Sequence, residues 1–109
     1  MGSITSVKTD SFKDFVMDQL RDTGAVECRA MFGGYGLYRR EKMFGIIFKG
    51  RLYFKISTST RPDFEAHGME PFRPGAKQTL KSFYEVPSEV VEDITELLTW
   101  VGKAIESAS

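Results

Sequence analysis

The run Met43 to Ile56 reads M-F-G-I-I-F-K-G-R-L-Y-F-K-I and leaves the chain little choice of local structure. Apolar and aromatic residues fall at every second position on either side of Lys49-Gly50, which is the period of a half-buried strand. Phe44, Ile46 and Phe48 are expected on one face of the first strand, and Leu52, Phe54 and Ile56 on the matching face of the second. Two residues ending in glycine suit a tight reversal with positive φ, so the two strands predict a β-hairpin.

The neighbouring segments change period. Asp10 is a good N-cap, and Phe12, Phe15, Val16 and Leu20 follow at helical spacing with Gly24 as the stop, predicting a helix from about residue 10. Residues 1–9 are expected to form a disordered N-terminal segment, and residues 10–109 one domain. Ser57 to Thr60 caps a short helix over Arg61 to Ala66, with Pro62 in its first turn. Met69 to Arg73 reads as a short strand, Pro74-Gly75 as a turn, and Lys77 to Glu85 as another strand. Pro87 and Ser88 open the longest helix. Its apolar positions Val90, Ile94, Leu97, Val101, Ala104 and Ala108 step by three or four residues, and Glu89, Glu92 and Asp93 sit where a helix dipole favours negative charge. The order is α-β-β-β-α-β-β-α. Short connections make the sheet antiparallel, and one-sided helices cover mainly one face, which gives a two-layer α+β domain with a five-stranded sheet.

Charge narrows the range of functions. The 109 residues hold 15 basic and 15 acidic side chains, so no global field draws the chain to nucleic acid or an anionic membrane. Locally the balance breaks: seven cations and one acid lie between Arg29 and Lys55, and six acids and one cation lie from Glu85 to the end. No apolar run approaches the roughly 20 residues that span a bilayer. A single cysteine, Cys28, rules out an internal disulfide and points to a reducing compartment, so a cytoplasmic location is expected.

Three glycines and three aromatics crowd the ten residues R-A-M-F-G-G-Y-G-L-Y from Arg29 to Tyr38. A phosphate-cradling loop needs a helix directly after its glycines, because helix amides bind the anion. Here another strand follows, so a phosphate loop is rejected. One bent strand from Cys28 to Arg40, kinked at Gly33-Gly34, is expected instead. If the hairpin's apolar stripe meets the helices, Arg51, Tyr53 and Lys55 point to the other side of the sheet, joined by Tyr38 and Arg40. Tyrosines among cations suit base stacking, or they form an ordinary half-wet sheet face with cross-strand pairs. Arg39 and Lys42 flank this face on the adjoining turn. The candidate contact residues are therefore Tyr38, Arg39, Arg40, Lys42, Arg51, Tyr53 and Lys55.

No catalytic constellation emerges, and no enzyme, metal or cofactor is expected. His67 is the lone histidine and reads as a helix cap or surface residue. Cys28 has no histidine near it in sequence and reads as a small strand residue whose pKa Arg29 would lower somewhat. The pairs Glu92-Asp93 and Asp63-Glu65 read as solvated helix faces. Trp100 edges the core.

The run R-A-M-F-G-G-Y-G-L-Y, the following M-F-G-I-I-F-K-G-R-L-Y-F-K, the M-E-P-F turn, and S-F-Y-E-V-P leading into a helix with Trp100 resemble the N-terminal domain of TfoX/Sxy proteins, from about Asp10 to Ala108. The resemblance implies a secretion-chaperone-like fold with a five-stranded antiparallel sheet. It also implies kinship with bacterial regulators of natural competence, which act as positive regulators beside the cyclic-AMP receptor protein and carry a further C-terminal helical domain. This chain stops at Ser109, so a single-domain relative is expected. The family supplies no catalytic residue, and its signature residues Met31, Phe32, Gly33, Gly34, Gly36, Leu37 and Tyr38 are expected to be structural or, at most, part of a partner-binding surface. A non-enzymatic regulatory or protein-interaction module is the expected function, with a weak nucleic-acid binder as the alternative. The expected partner is a protein, either transcription machinery or a second copy as a dimer; nucleic acid ranks below it, and no membrane is expected.

Overall fold

The computed structural model describes the backbone of residues 4–31 and 33–109 and the side chains of residues 11–31 and 33–109. Among these, four α-helices and six strands follow in the order α1 (Ile4–Gln19), β1 (Val26–Met31), β2 (Gly34–Arg39), β3 (Lys42–Phe48), β4 (Arg51–Lys55), α2 (Arg61–Ala66), β5 (Pro71–Gly75), β6 (Gln78–Glu85), α3 (Ser88–Val91) and α4 (Ile94–Ala108). All six strands join one antiparallel sheet, ordered β1-β2-β3-β4-β6-β5. The α+β class expected from the periodicities holds. The strand count does not.

The extra strand comes from the glycine-rich stretch. Met31 stands opposite Gly34, so the chain reverses completely within two residues, with Gly33 at φ 79°, a conformation that costs glycine little. The single bent strand expected over Cys28–Arg40 is thus a hairpin of β1 and β2. Phe32 lies outside the described residues. The hairpin at Lys49-Gly50 forms as expected, with φ 51° and 74° at its two turn residues.

Three boundaries also move. Helix α1 is under way at Ile4, ahead of the expected start at Asp10; residues 1–3 of the expected N-terminal segment lie outside the described residues. Strand β5 continues through Pro74-Gly75, and the reversal falls at Ala76-Lys77, between the paired Gly75 and Gln78. The long C-terminal helix is two helices. Asp93 adopts an extended backbone (φ −105°, ψ 104°), and its carboxylate accepts from the Thr95 and Glu96 amides, so it caps α4 rather than lying on a continuous helix face.

The facing of β3 differs from strict alternation. Leu37 pairs with Gly45 but Tyr38 with Met43, leaving Phe44 as an extra residue in a β-bulge. Phe44 and Ile47 therefore both reach the helix side, whereas Ile46 turns to the opposite face. Phe48 follows Ile46, because a two-residue turn sets it directly across from Arg51. The helix-side core joins Val16 of α1 and Leu20 just after it, Phe44 and Phe54 of the sheet, Phe64 of α2, and Leu97, Val101 and Ala104 of α4. Phe44 and Phe54 are fully buried, each stabilising the fold by roughly 1.5–3 kcal/mol. Gln19 ties α1 to α3 through a 3.2 Å bond from its Nε2 to the Val91 carbonyl.

Candidate interaction surface

The face of the sheet turned away from the helices is covered in part by its own hairpin. From Pro71 opposite Tyr84 to Phe72 opposite Leu80, one step along β5 answers four along β6, and this irregularity accompanies a bend that places Phe72 against the sheet. Ile46, Tyr53, Phe72 and Phe83 form a second small core there, flanked by Met31, Met43, Phe48 and Leu80. Gly36 belongs to this packing: a Cβ on it would come within 2.9 Å of both the Met31 sulfur and a Tyr38 ring carbon.

Four of the seven sequence candidates lie on this far face, and each has a partner within the chain. Tyr53 is only 9% exposed, with its ring centroid 4.6 Å from that of Phe72. Burial pushes its phenol pKa up, the Glu85 charge adds to that, and Arg51 partly offsets it. Arg51 Nη1 bonds Glu85 Oε1 at 3.2 Å. Lys55 Nζ rests 5.3 Å from the Phe83 ring centre. Tyr38 lies beneath the Arg29 guanidinium at 4.4 Å, and Arg29 is itself held by Glu27 at 2.8 Å.

The other three, Arg39, Arg40 and Lys42, gather at a corner. They surround the β2–β3 turn, where Arg40 and Glu41 have φ 52° and 71°, a left-handed pair without glycine. Such a pair costs roughly 1–2 kcal/mol per residue. Backbone strain of this kind concentrates at functional sites. The turn borders a cavity of about 370 Å³ lined by Arg39, Arg40, Lys42, Phe44, Ile105, Ala108 and Ser109. Arg39 Nη1 donates to the Thr23 carbonyl at 3.5 Å, whereas among the described residues Arg40 and Lys42 make no ion pair.

The remaining reactive groups are occupied structurally. Cys28 is half-buried on the helix side of β1, and burial pushes its thiol pKa up against the opposing pull of Lys13. The expected lowering by Arg29 is corrected, because strand alternation sends Arg29 to the opposite face. His67 ends α2, its Nδ1 2.9 Å from the Asp63 carbonyl and its ring 5.5 Å from that of Trp100, which packs on Phe64 at 4.7 Å. Among the described residues no three histidine, cysteine or acidic side chains gather as a metal-binding group. No helix there is long and apolar enough to cross a membrane.

Sequence reasoning missed Glu27 and Arg29 as the clamp on Tyr38, Glu85 as the Arg51 counterion, and Phe72 as the cover of Tyr53. Only the cation count of the hairpin region hinted at a charged surface.

Fold and surface define an α+β domain with helices on one side of an antiparallel sheet and a cationic corner beside the last helix. The chain belongs to the TfoX N-terminal domain family, which matches residues 18–108. A relative named DNA transformation protein TfoX1, from Aliivibrio fischeri, is 26% identical over 107 residues, covering 96% of this chain and 51% of its own length. The chain thus spans about half of that relative. A second relative, from Spirochaeta aurantia and named an uncharacterized 12.7 kDa protein in the trpE 5′ region, is 35% identical over 83 residues, covering 76% of this chain and 68% of its own length.

Proposed function

We propose that this domain is a competence-related regulatory module that works by binding, and that it holds an acidic protein segment at the Arg39, Arg40 and Lys42 corner. The observation that carries this reading is the meeting of Arg40 and Lys42, which make no ion pair among the described residues, with a cavity also lined by the apolar Phe44, Ile105 and Ala108. Such a site offers desolvated area for affinity and charge for orientation, the combination that a specific protein interface uses. The strained turn between the cations supports it, since the geometry is retained at a cost to the fold. Kinship with a DNA transformation protein supports the competence setting.

The nucleic-acid alternative draws on the same corner but loses a platform: Tyr53 lies beneath Phe72 and offers no open ring for a base to stack on. The test is a pull-down from nuclease-treated lysate with wild type, Arg40→Glu/Lys42→Glu and Arg51→Ala baits. A protein retained by wild type and by Arg51→Ala, but lost by the corner variant, supports the corner. Equal retention by all three sinks it. Retention that vanishes with nuclease and falls steeply with salt moves the function to nucleic acid.

A further inference from the structure

The sheet has two free edges, and they are built differently. At one edge β5 carries Pro71 and Pro74, so two of its five residues have no N–H to offer, and its register is broken twice. Prolines and bulges are how sheet edges are closed to further strands. At the other edge β1 has six residues without proline, paired in unbroken register with β2. Among the described residues no strand lies on its outer side.

The direction of its backbone groups follows from the turn. Met31 and Gly34 close a two-residue hairpin loop and so exchange hydrogen bonds, and alternation then turns the N–H and C=O of Ala30, Cys28 and Val26 outward. The Val26 amide is occupied by the Gly24 carbonyl at 2.7 Å. Cys28 and Ala30 remain. Glu27 and Arg29, exposed on the far face and bonded to each other at 2.8 Å, flank Cys28 symmetrically.

We infer that β1 pairs antiparallel with β1 of a second copy about a two-fold axis at Cys28, joining the two sheets into one. In that register Glu27 faces Arg29 of the second copy and Arg29 faces its Glu27, while Val26 faces Ala30 on the helix side. Opposite charges directly across an antiparallel pair attract and like charges repel, and this selects the register. An axis at Arg29 would set arginine on arginine, and one at Glu27 would set glutamate on glutamate. An axis at Ala30 would leave both charges without a counterpart. An isologous contact of this kind is self-complementary and closes at two copies. A few strand residues bury less area than a standard interface, so the dimer is a weak, concentration-dependent one.

The experiment is sedimentation equilibrium over a concentration series, with circular dichroism confirming each variant's fold. Wild type is expected to approach twice the 12.3 kDa chain mass as concentration rises. Glu27→Arg alone and Arg29→Glu alone should each weaken the dimer roughly tenfold, because the two-fold repeats every reversal. The double variant Glu27→Arg/Arg29→Glu should recover wild-type association. Ala30→Pro, which removes an outward amide and spares the β1–β2 bonds, should stay monomeric. A wild type that remains monomeric throughout overturns the inference, as do single reversals that leave association unchanged or a double variant that fails to restore it. The outcome is independent of the corner, since none of these residues lines that cavity.

Discussion

Arg51 and Lys55 on the far face and Arg40 and Lys42 at the corner are the same residue types a few positions apart, yet the fold treats them oppositely. On the far face each cation meets a carboxylate or a ring, and the tyrosine between them is sealed by Phe72. At the corner the cations surround an open cavity, and the turn that carries them is strained. One surface completes itself from within the chain; at the other, Arg40 and Lys42 make no ion pair among the described residues. Basic residues in a hairpin are therefore no guide to a binding face until their partners are known.

Three substitutions would break or sharpen that contrast. Phe72→Ala should cost the most, about 3–5 kcal/mol in urea unfolding, because it empties a nearly fully buried site between Tyr53 and Phe48. A cost near that of an exposed site, within about 0.5 kcal/mol, would mean that the far face is not a second core. Next comes the turn. Arg40→Asn/Glu41→Gly replaces two left-handed residues with the pair such turns prefer, and should raise stability by roughly 1 kcal/mol in a thermal melt while weakening capture at the corner. A melting temperature that does not rise would show that the turn carries no strain.

The smallest effect is the pH response of Tyr53. Its folded pKa is raised above the ordinary 10.0, so its contribution is fully present below that value. As pH climbs further the unfolded chain ionises first, and stability is lost as pH passes through the folded pKa. Tyr53→Phe should remove this part of the alkaline decline, followed by denaturant midpoints at rising pH. An unchanged decline would place the phenol in water rather than under Phe72.

Much of the fold was legible because its signals are local. Lys49-Gly50 announced a turn through glycine, Pro62 and Gly68 bounded α2, and the apolar stripe of α4 matched its buried face at Leu97, Val101 and Ala104, whereas Ile94 is exposed. The two failures within the sheet have one cause in common. A bulge at Phe44 shifts alternation by one residue, and nothing in M-F-G-I-I-F says which residue is the extra one until β2 lies beside it. For the same reason Gly33-Gly34 reads equally as a kink or a reversal, the choice resting on pairing between Met31 and Gly34. The seven candidate residues were read as one patch because facing was inferred from unbroken alternation, whereas the fold divides them between the far face and the corner.

The sequence by itself determined the α+β class, the antiparallel arrangement, most of the elements and the family, since these depend on periodicity, turn chemistry and short motifs. It also determined that the hairpin region is cationic and the chain from Glu85 onward acidic. Only the tertiary structure decided which side chains find partners, since Arg51 meets Glu85 34 residues away in sequence and Tyr53 meets Phe72 across an irregular strand pairing. Neutralisation and burial are properties of distances between remote residues, and only the folded chain sets those distances.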